Sequence, residues 1–237
     1  KYAICSPHKL SNFLRNEEEI QTGNRIIVIR KDGSREEVTS FPKLEIEFKG
    51  TCGLVELHES IKIKNKMKLF VGNKSYLHLE KQVSIESASL NLSAENTTMW
   101  VGERSWLRTL RCICNAEPGL EIIMGKDIVM SLDVLFRPTD GHTIIDLQSG
   151  LPINKPTFGI HIDDHVWIGQ SVTILKDVNI PQDCIIGAHA VVSKKNFVQN
   201  SIIAGIPAKC IRTGINWDKK RIHEYLKSIP SEKVGIN

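Results

Sequence analysis

A six-residue beat in the last third of the chain constrains the fold more than any other feature. Ile162, Ile168, Ile174, Ile180, Ile186, Val192 and Val198 stand six apart without a miss. A second apolar series, Ile160, Val166, Val172, Val178, Cys184 and Ala190, keeps the same step two residues ahead of the first. An amphipathic helix repeats at about 3.6 residues and an ordinary strand at 2, so neither generates this spacing. A short strand that turns one large aliphatic inward and then bends into the next strand does generate it. Such a unit buries its side chain only when further strands stack above and below. Gly169 and Gly187 each follow an aliphatic of the first series and are eighteen residues apart, which is three beats. Glycine at such a point permits a sharp turn or a close backbone approach.

The stretches Ile168-Gly169-Gln170-Ser171-Val172 and Ile186-Gly187-Ala188-His189-Ala190-Val191 resemble the hexapeptide-repeat acyltransferases. The resemblance implies an all-β solenoid, a left-handed parallel β-helix of triangular section with three hexads per coil, assembled as a homotrimer with active sites between subunits. Left-handed winding departs from the usual right-handed crossover, so the hand rests on the resemblance and not on the spacing. The likeness is good over residues 120–218 and loose before them.

Three regions are expected along the chain. Residues 1–50 carry no beat and hold the apolar run Ile26 to Ile29 followed by the turn Lys31-Asp32-Gly33-Ser34, which reads as a small β-rich cap. Residues 51–213 form the helix of coils. Val71-Gly72, Val101-Gly102 and Met124-Gly125 repeat the aliphatic-glycine pair at spacings of 30 and 23, so the early coils are irregular. Met124, Met130 and Phe136, with Ile128 and Val134, restore the beat before a polar excursion over residues 137–159. Residues 214–237 close the chain: Ile222, Tyr225, Leu226 and Ile229 at i, i+3, i+4 and i+7 predict an amphipathic helix behind Asn216, packed back on the coils.

Composition narrows the function class. Lys1 to Ile20 is too polar for a secretory leader and no apolar run approaches the roughly 18 residues of a spanning helix; a cytoplasmic protein with no integral membrane segment is expected. A net charge of +4 from 31 basic and 27 acidic residues, with no basic stripe interleaved with aromatics, gives no case for nucleic acid. Six cysteines without a secretory signal fit reduced thiols. Cys112 and Cys114 point to one side of a strand, opposite Ile113, and lack further ligands for zinc, so they read as core, as does Cys184. No metal is expected.

Acetyl transfer from a thioester to a hydroxyl needs a base for the hydroxyl proton, donors for the developing oxyanion, and accurate positioning. Histidine suits the first task because it titrates near neutrality. The run Thr139-Asp140-Gly141-His142-Thr143-Ile144 resembles the segment that carries the catalytic histidine in sugar acetyltransferases of bacterial surface polysaccharides. The resemblance makes His142 the general base. Asp140, Asp146 and Asp133 are close enough in sequence for any of them to orient it, and a carboxylate or carbonyl of the adjacent subunit is an equal alternative; Asp133 and Arg137 are otherwise candidates for holding the acceptor sugar. It places Trp167, in His165-Val166-Trp167-Ile168-Gly169, near the acetyl group in the cleft between subunits. Acetyl-CoA (coenzyme A) would lie along Gly169, Gly187, Ala188, Gly205 and Pro207, with Lys194, Lys195, Lys209 and Arg212 for its phosphates.

The reading is an acetyl-CoA-dependent O-acetyltransferase of a surface-glycan sugar. Its neighbours are N-acetylation of an amino sugar and acetylation of a small hydroxylated compound. No G-x-G-x-x-G occurs in residues 1–60 to mark a nucleotide-sugar domain, which favours the O-acetyl reading. A zinc enzyme of the γ-type carbonic anhydrase pattern would need a histidine pair five apart, and His161 and His165 are four apart. A non-catalytic scaffold leaves His142 and Trp167 without a use.

Overall fold

The computed structural model describes residues 23–193 and 196–230. Expectations that fall on residues 1–22, on Lys194 and Lys195, and on residues 231–237 lie outside it. The described chain is a parallel β-helix of about seven coils with a single short helix.

Three rows of strands make three faces. The first face stacks Arg25–Ile29, Leu54–His58, Tyr76–Leu79, Thr98–Val101, Glu121–Met124, Gly159–Ile162 and Val178–Ile180, each parallel to the next. The second face runs through Val129–Met130, Trp167–Ile168, Ile185–Ile186 and Ser201–Gly205, and the third through Val134–Arg137, Thr173–Leu175 and Val191–Val192. Below them, Lys62–Val71, Ser84–Leu92 and Trp106–Ile113 are long strands that bend through a corner and serve both faces. Parallel stacking begins at Arg25, so residues 25–48 already pair with the coils above. The Lys31–Ser34 turn closes a hairpin between Arg25–Ile29 and Arg35–Val38, held by the Ser34 N–H on Asp32 Oδ1 at 2.9 Å.

The two apolar series point inward. Ile162, Ile168, Ile174, Ile180, Ile186 and Val192, and the whole of the second series, are at most 1% exposed. Register explains why: Ile168 pairs with Ile186 and Ile174 with Val192, so each side chain rests on an aliphatic one coil away. Val198 breaks the pattern at 61% exposed. In the next rung Ile186 pairs with Ile203, seventeen residues on rather than eighteen, and Ile203 takes the inward place. Gly169 and Gly187 are required by rung contact: a Cβ on Gly169 would lie 2.7 Å from the Ala188 nitrogen, and one on Gly187 2.9 Å from the Ala204 Cβ. Cys112, Cys114 and Cys184 are buried, and burial pushes the Cys114 thiol up to about 11.

Corners are turned by residues in the left-handed region. Gln82, Arg104, Asp127, His165, Asp183 and Asn200, with φ from 55° to 61°, line the corner between the first and second faces. Their N–H groups bond the coil below, as His165 N does to Lys126 O at 2.8 Å and Asp127 N to Glu103 O at 2.9 Å. The corner is therefore a continuous ladder, because each αL residue leaves its N–H aimed along the solenoid axis.

The C-terminal segment differs from expectation. The helix spans Ile222–Leu226 and buries no residue; Ile222 is 80% exposed. Asn216 cannot cap it, because Ile215 and Trp217 are fastened to the coils: Ile215 N bonds Asn200 O at 3.1 Å and Trp217 Nε1 bonds His165 O at 2.9 Å. The helix starts only after Arg221, whose N–H is capped by the Glu224 carboxylate at 3.0 Å. Among the described residues no helix is long and apolar enough to cross a membrane.

Candidate active site

The polar excursion leaves the third face after Arg137 and re-enters the first face at Gly159, so it projects from the corner between those faces. Its root is tightly held. The buried Thr139 accepts the Gly141 N–H at 3.2 Å, which turns the chain so that His142 points outward. Asn154 reaches across the loop: its Nδ2 donates to Asp140 Oδ2 and to the His142 carbonyl, both at 2.8 Å, and its Oδ1 accepts the Ile144 N–H at 2.8 Å. Lys176, on the next coil, bonds the Asp140 carboxylate and also the Asn154 carbonyl at 2.9 Å.

The returning strand is pinned by Asp177, which accepts N–H groups from Thr157 at 2.7 Å and Phe158 at 3.0 Å and the Thr157 hydroxyl at 2.8 Å. Burial pushes the Asp177 carboxyl up, but these bonds outweigh it and hold the group below the usual carboxylate range. Thus the coil itself fixes both ends of the loop. His142 borders a recess of about 190 Å³ with Glu117, Thr139, Asn154 and Lys155.

Neither sequence-predicted carboxylate meets the His142 ring. Asp140 is committed to Lys176 and Asn154. Asp146 closes the tip of the excursion by accepting the Ser149 N–H and hydroxyl, both at 2.7 Å, and those bonds lower its pKa. Among the described residues the imidazole of His142 has no hydrogen bond. Asp133 and Arg137 are also apart, at opposite ends of one strand: Asp133 beside a groove with Ser87, Thr109 and Arg111, Arg137 on the His142 side near Gly141. Arg137 meets no carboxylate among the described residues.

The remaining candidates gather on the second face. Trp167 stands outward, 43% exposed, in a cross-strand line with Val129, Ile185, Ile202 and, through the closing hairpin, Arg212. Three strand spacings separate Trp167 from Arg212, about 14 Å at the usual inter-strand distance. Gly169, Gly187 and Gly205 follow that line at one edge, with Ala188 exposed beside them. Gly205, Pro207 and Lys209 form the tip and outer strand of the antiparallel hairpin Ser201–Gly205 with Ala208–Thr213. Lys209 and Arg212 are exposed and meet no carboxylate among the described residues, as a phosphate site requires.

His142 and Trp167 do not meet within one chain. In a three-faced coil, the corner between the third and first faces is opposite the second face. His161 and His165 do not converge either: His161 lies on the first face against Phe158, with ring centroids 4.7 Å apart, and His165 sits at the following corner bonded to Asp183 at 2.7 Å. Among the described residues no group of three or more His, Cys, Asp and Glu is placed to hold a metal ion.

Sequence reasoning missed Asn154, Lys176 and Asp177, which fix the loop, and Trp217, which stacks on the His165 ring at 4.2 Å and lies 6.0 Å from Trp167. Lys176 and Asp140 are 36 residues apart, so no local pattern announces their contact. Spacing offered one signal: His165 and Asp183, like Gly169 and Gly187, are one coil apart and so are neighbours in space.

No family model matches the chain. It is 29% identical over 180 residues to the polysialic acid O-acetyltransferase of Neisseria meningitidis, covering 68% of this chain and 83% of that protein. It is 32% identical over 96 residues to the polysialic acid O-acetyltransferase of Escherichia coli O1:K1, a match spanning 40% of this chain and 31% of that one. The solved structure of the polySia specific acetyltransferase NeuO shares the fold, with a TM-score of 0.70 at 21% identity over 88% of this chain and 91% of the other. Stacked hexad coils, sequence similarity to O-acetyltransferases and the fold shared with NeuO agree in likening the chain to the hexapeptide-repeat acyltransferases.

Proposed function

We propose that the protein transfers an acetyl group from acetyl-coenzyme A to a sugar hydroxyl of a bacterial surface polysaccharide. The donor would lie on the second face of one chain, its phosphates toward Arg212 and Lys209 and its thioester toward Trp167. His142 would enter from the opposite corner of a neighbouring chain in a homotrimer. One observation carries this reading: the imidazole is held out from the coil with its loop stapled at both ends, while the line from Trp167 to Arg212, exposed at both ends and half-buried at Ile185 and Ile202, lies on the opposite face. Kinship with polysialic acid O-acetyltransferases supports the reaction and the class of acceptor. A cytoplasmic location follows from the donor.

The reaction is a direct transfer in a ternary complex. His142 takes the hydroxyl proton as the sugar oxygen attacks the thioester carbonyl carbon. A backbone N–H on the donor face holds the resulting oxyanion. Collapse breaks the carbon–sulfur bond, and the imidazolium returns its proton to the departing sulfur, leaving the acetyl ester and free coenzyme A. Orientation of His142 comes from the neighbouring chain or from the acceptor, since Asp140 and Asp146 are occupied.

Calorimetric titration with coenzyme A tests the donor site. One molecule bound per chain, weakened by Arg212→Ala and Lys209→Ala, is the expected result; absence of binding to the parent protein would overturn it.

A further inference from the structure

The corner ladder between the first and second faces carries a strap. After the closing hairpin the chain turns back along the solenoid axis, and alternate residues dock on three residues of this corner, Asn200, His165 and Asp127, passing over Asp183. Ile215 is held by Asn200 from both sides: its N–H donates to the Asn200 carbonyl at 3.1 Å, and its carbonyl accepts the Asn200 side-chain Nδ2 at 3.0 Å. Trp217 lies on His165 with the rings 6° from parallel and 4.2 Å between centroids, and donates to its carbonyl at 2.9 Å. Lys219 reaches Asp127 at 3.5 Å, a carboxylate already gripped by Arg104 at 2.7 Å.

His165 is fixed before the strap arrives. Its αL backbone is bonded to Lys126, and its Nδ1 sits 2.7 Å from Asp183 Oδ1. Trp217 therefore rests on a rigid platform. Its other aromatic neighbour is Trp167, with ring centroids 6.0 Å apart and planes tilted by 46°, within the contact range of an aromatic pair. Trp167 has open solvent on its outer side, so within the chain the Trp217 ring is the aromatic wall against which it settles.

We propose that Trp217 is a positioning residue: the strap presses its indole against Trp167 and thereby sets the wall of the thioester site. The inference rests on the reading of the second face as the donor site. Loss of the wall frees the Trp167 ring, so the donor binds less well while the chemical step, carried by His142 from elsewhere, is little changed. The ordering cost avoided by a prefixed side chain is the physical gain.

The test compares Trp217→Ala, Trp217→Phe and Lys219→Ala. In Trp217→Ala the KM for acetyl-CoA and the Kd for coenzyme A should rise about tenfold, the scale of one aromatic pair with its ordering, with kcat within a factor of about two. Trp217→Phe, which keeps a stacking ring, should restore most of the affinity. Lys219→Ala, which loosens the strap away from Trp167, should leave KM near the parent value. The indole couplet in circular dichroism reports the pair without any ligand: it should vanish equally in Trp167→Phe and Trp217→Phe. Unchanged KM and Kd in Trp217→Ala would overturn the proposal, as would a fall in thermal midpoint with no change in affinity. If the parent fails to bind coenzyme A while the couplet behaves as stated, the donor-site reading falls and the aromatic pair stands.

Discussion

The early and late coils build the same three faces in different ways. Apart from the excursion, each face from Met124 to Val192 takes one hexad, and Ile160 to Val178 or Ile168 to Ile186 spans eighteen residues. In the earlier coils Leu54, Tyr76 and Thr98 start their strands at intervals of twenty-two. The four extra residues per coil go into a longer third face, where Met67, Leu69 and Val71 all point inward in a single strand. A wide coil tolerates large side chains and bent strands. A narrow coil demands small residues at rung contacts, as at Gly169 and Gly187, but its corner residues line up closely enough to hold the tail at Asn200, His165 and Asp127. The polar excursion leaves the first narrow coil, whose Met124, Met130 and Phe136 stand six apart, so the loop that carries His142 is rooted in that coil, next to the wide ones, and pinned by the second narrow coil through Lys176 and Asp177.

Substitutions can break this comparison at its most sensitive points. The largest effect falls on the loop at the junction: His142→Ala should lower turnover by about 10²–10⁴-fold, as for loss of a general base, with coenzyme A affinity retained in the same titration. Phe136, fully buried between Cys112 of the coil below and Ile174 of the coil above, fills the step between the two widths. Phe136→Ala should cost about 3–5 kcal/mol by chemical denaturation, because neither coil can collapse into the space without shifting its register.

Asp177 sharpens the comparison further. Its bonds to Thr157 and Phe158 tie the excursion to the narrow coil above it, and Asp177→Asn should cost about 1.5–3 kcal/mol, the range for hydrogen bonds to a charged group. The folded carboxyl ionises at a lower pH than in the unfolded chain, so this stabilisation is complete above the unfolded value, about pH 4. It is lost as the pH falls through the folded value, and Asp177→Asn should flatten the acid limb of stability against pH. The smallest effect is expected at Lys219, whose contact with Asp127 is solvent-exposed; Lys219→Ala should move the thermal midpoint by at most about 2 °C.

The same contrast decides what could be read from the sequence. In the narrow coils one inward aliphatic per face leaves a clean period, and spacing alone places Ile160 to Val192 in the core. The wide coils hid theirs, because inward residues within one long strand alternate at two while the coil repeats at twenty-two. Their corner residues Lys74 and Asn96, or Gln82 and Arg104, share only a positive φ and no side-chain type. The loop was legible as a break in the beat, and the run Thr139 to Ile144 marks its root. The staples that hold the loop were not: Lys176 and Asp177 lie on a coil that only folding brings beside it. Apolar spacing placed a helix after Asn216 that starts instead at Ile222, because tertiary docking of Ile215 and Trp217 overrides local periodicity.

The central claim is that each site takes His142 from one chain and Trp167 from another. Mixing His142→Ala and Trp167→Ala chains, unfolded together and refolded as one population, tests it directly. At limiting acetyl-CoA each variant alone should turn over far below the parent, His142→Ala for want of its base and Trp167→Ala for want of its donor wall. If neighbouring chains share each site, random reassembly into trimers restores about a quarter of the parental activity, since one site in four receives both intact residues. Activity no greater than that of the separate variants would place both residues in one chain and contradict the account.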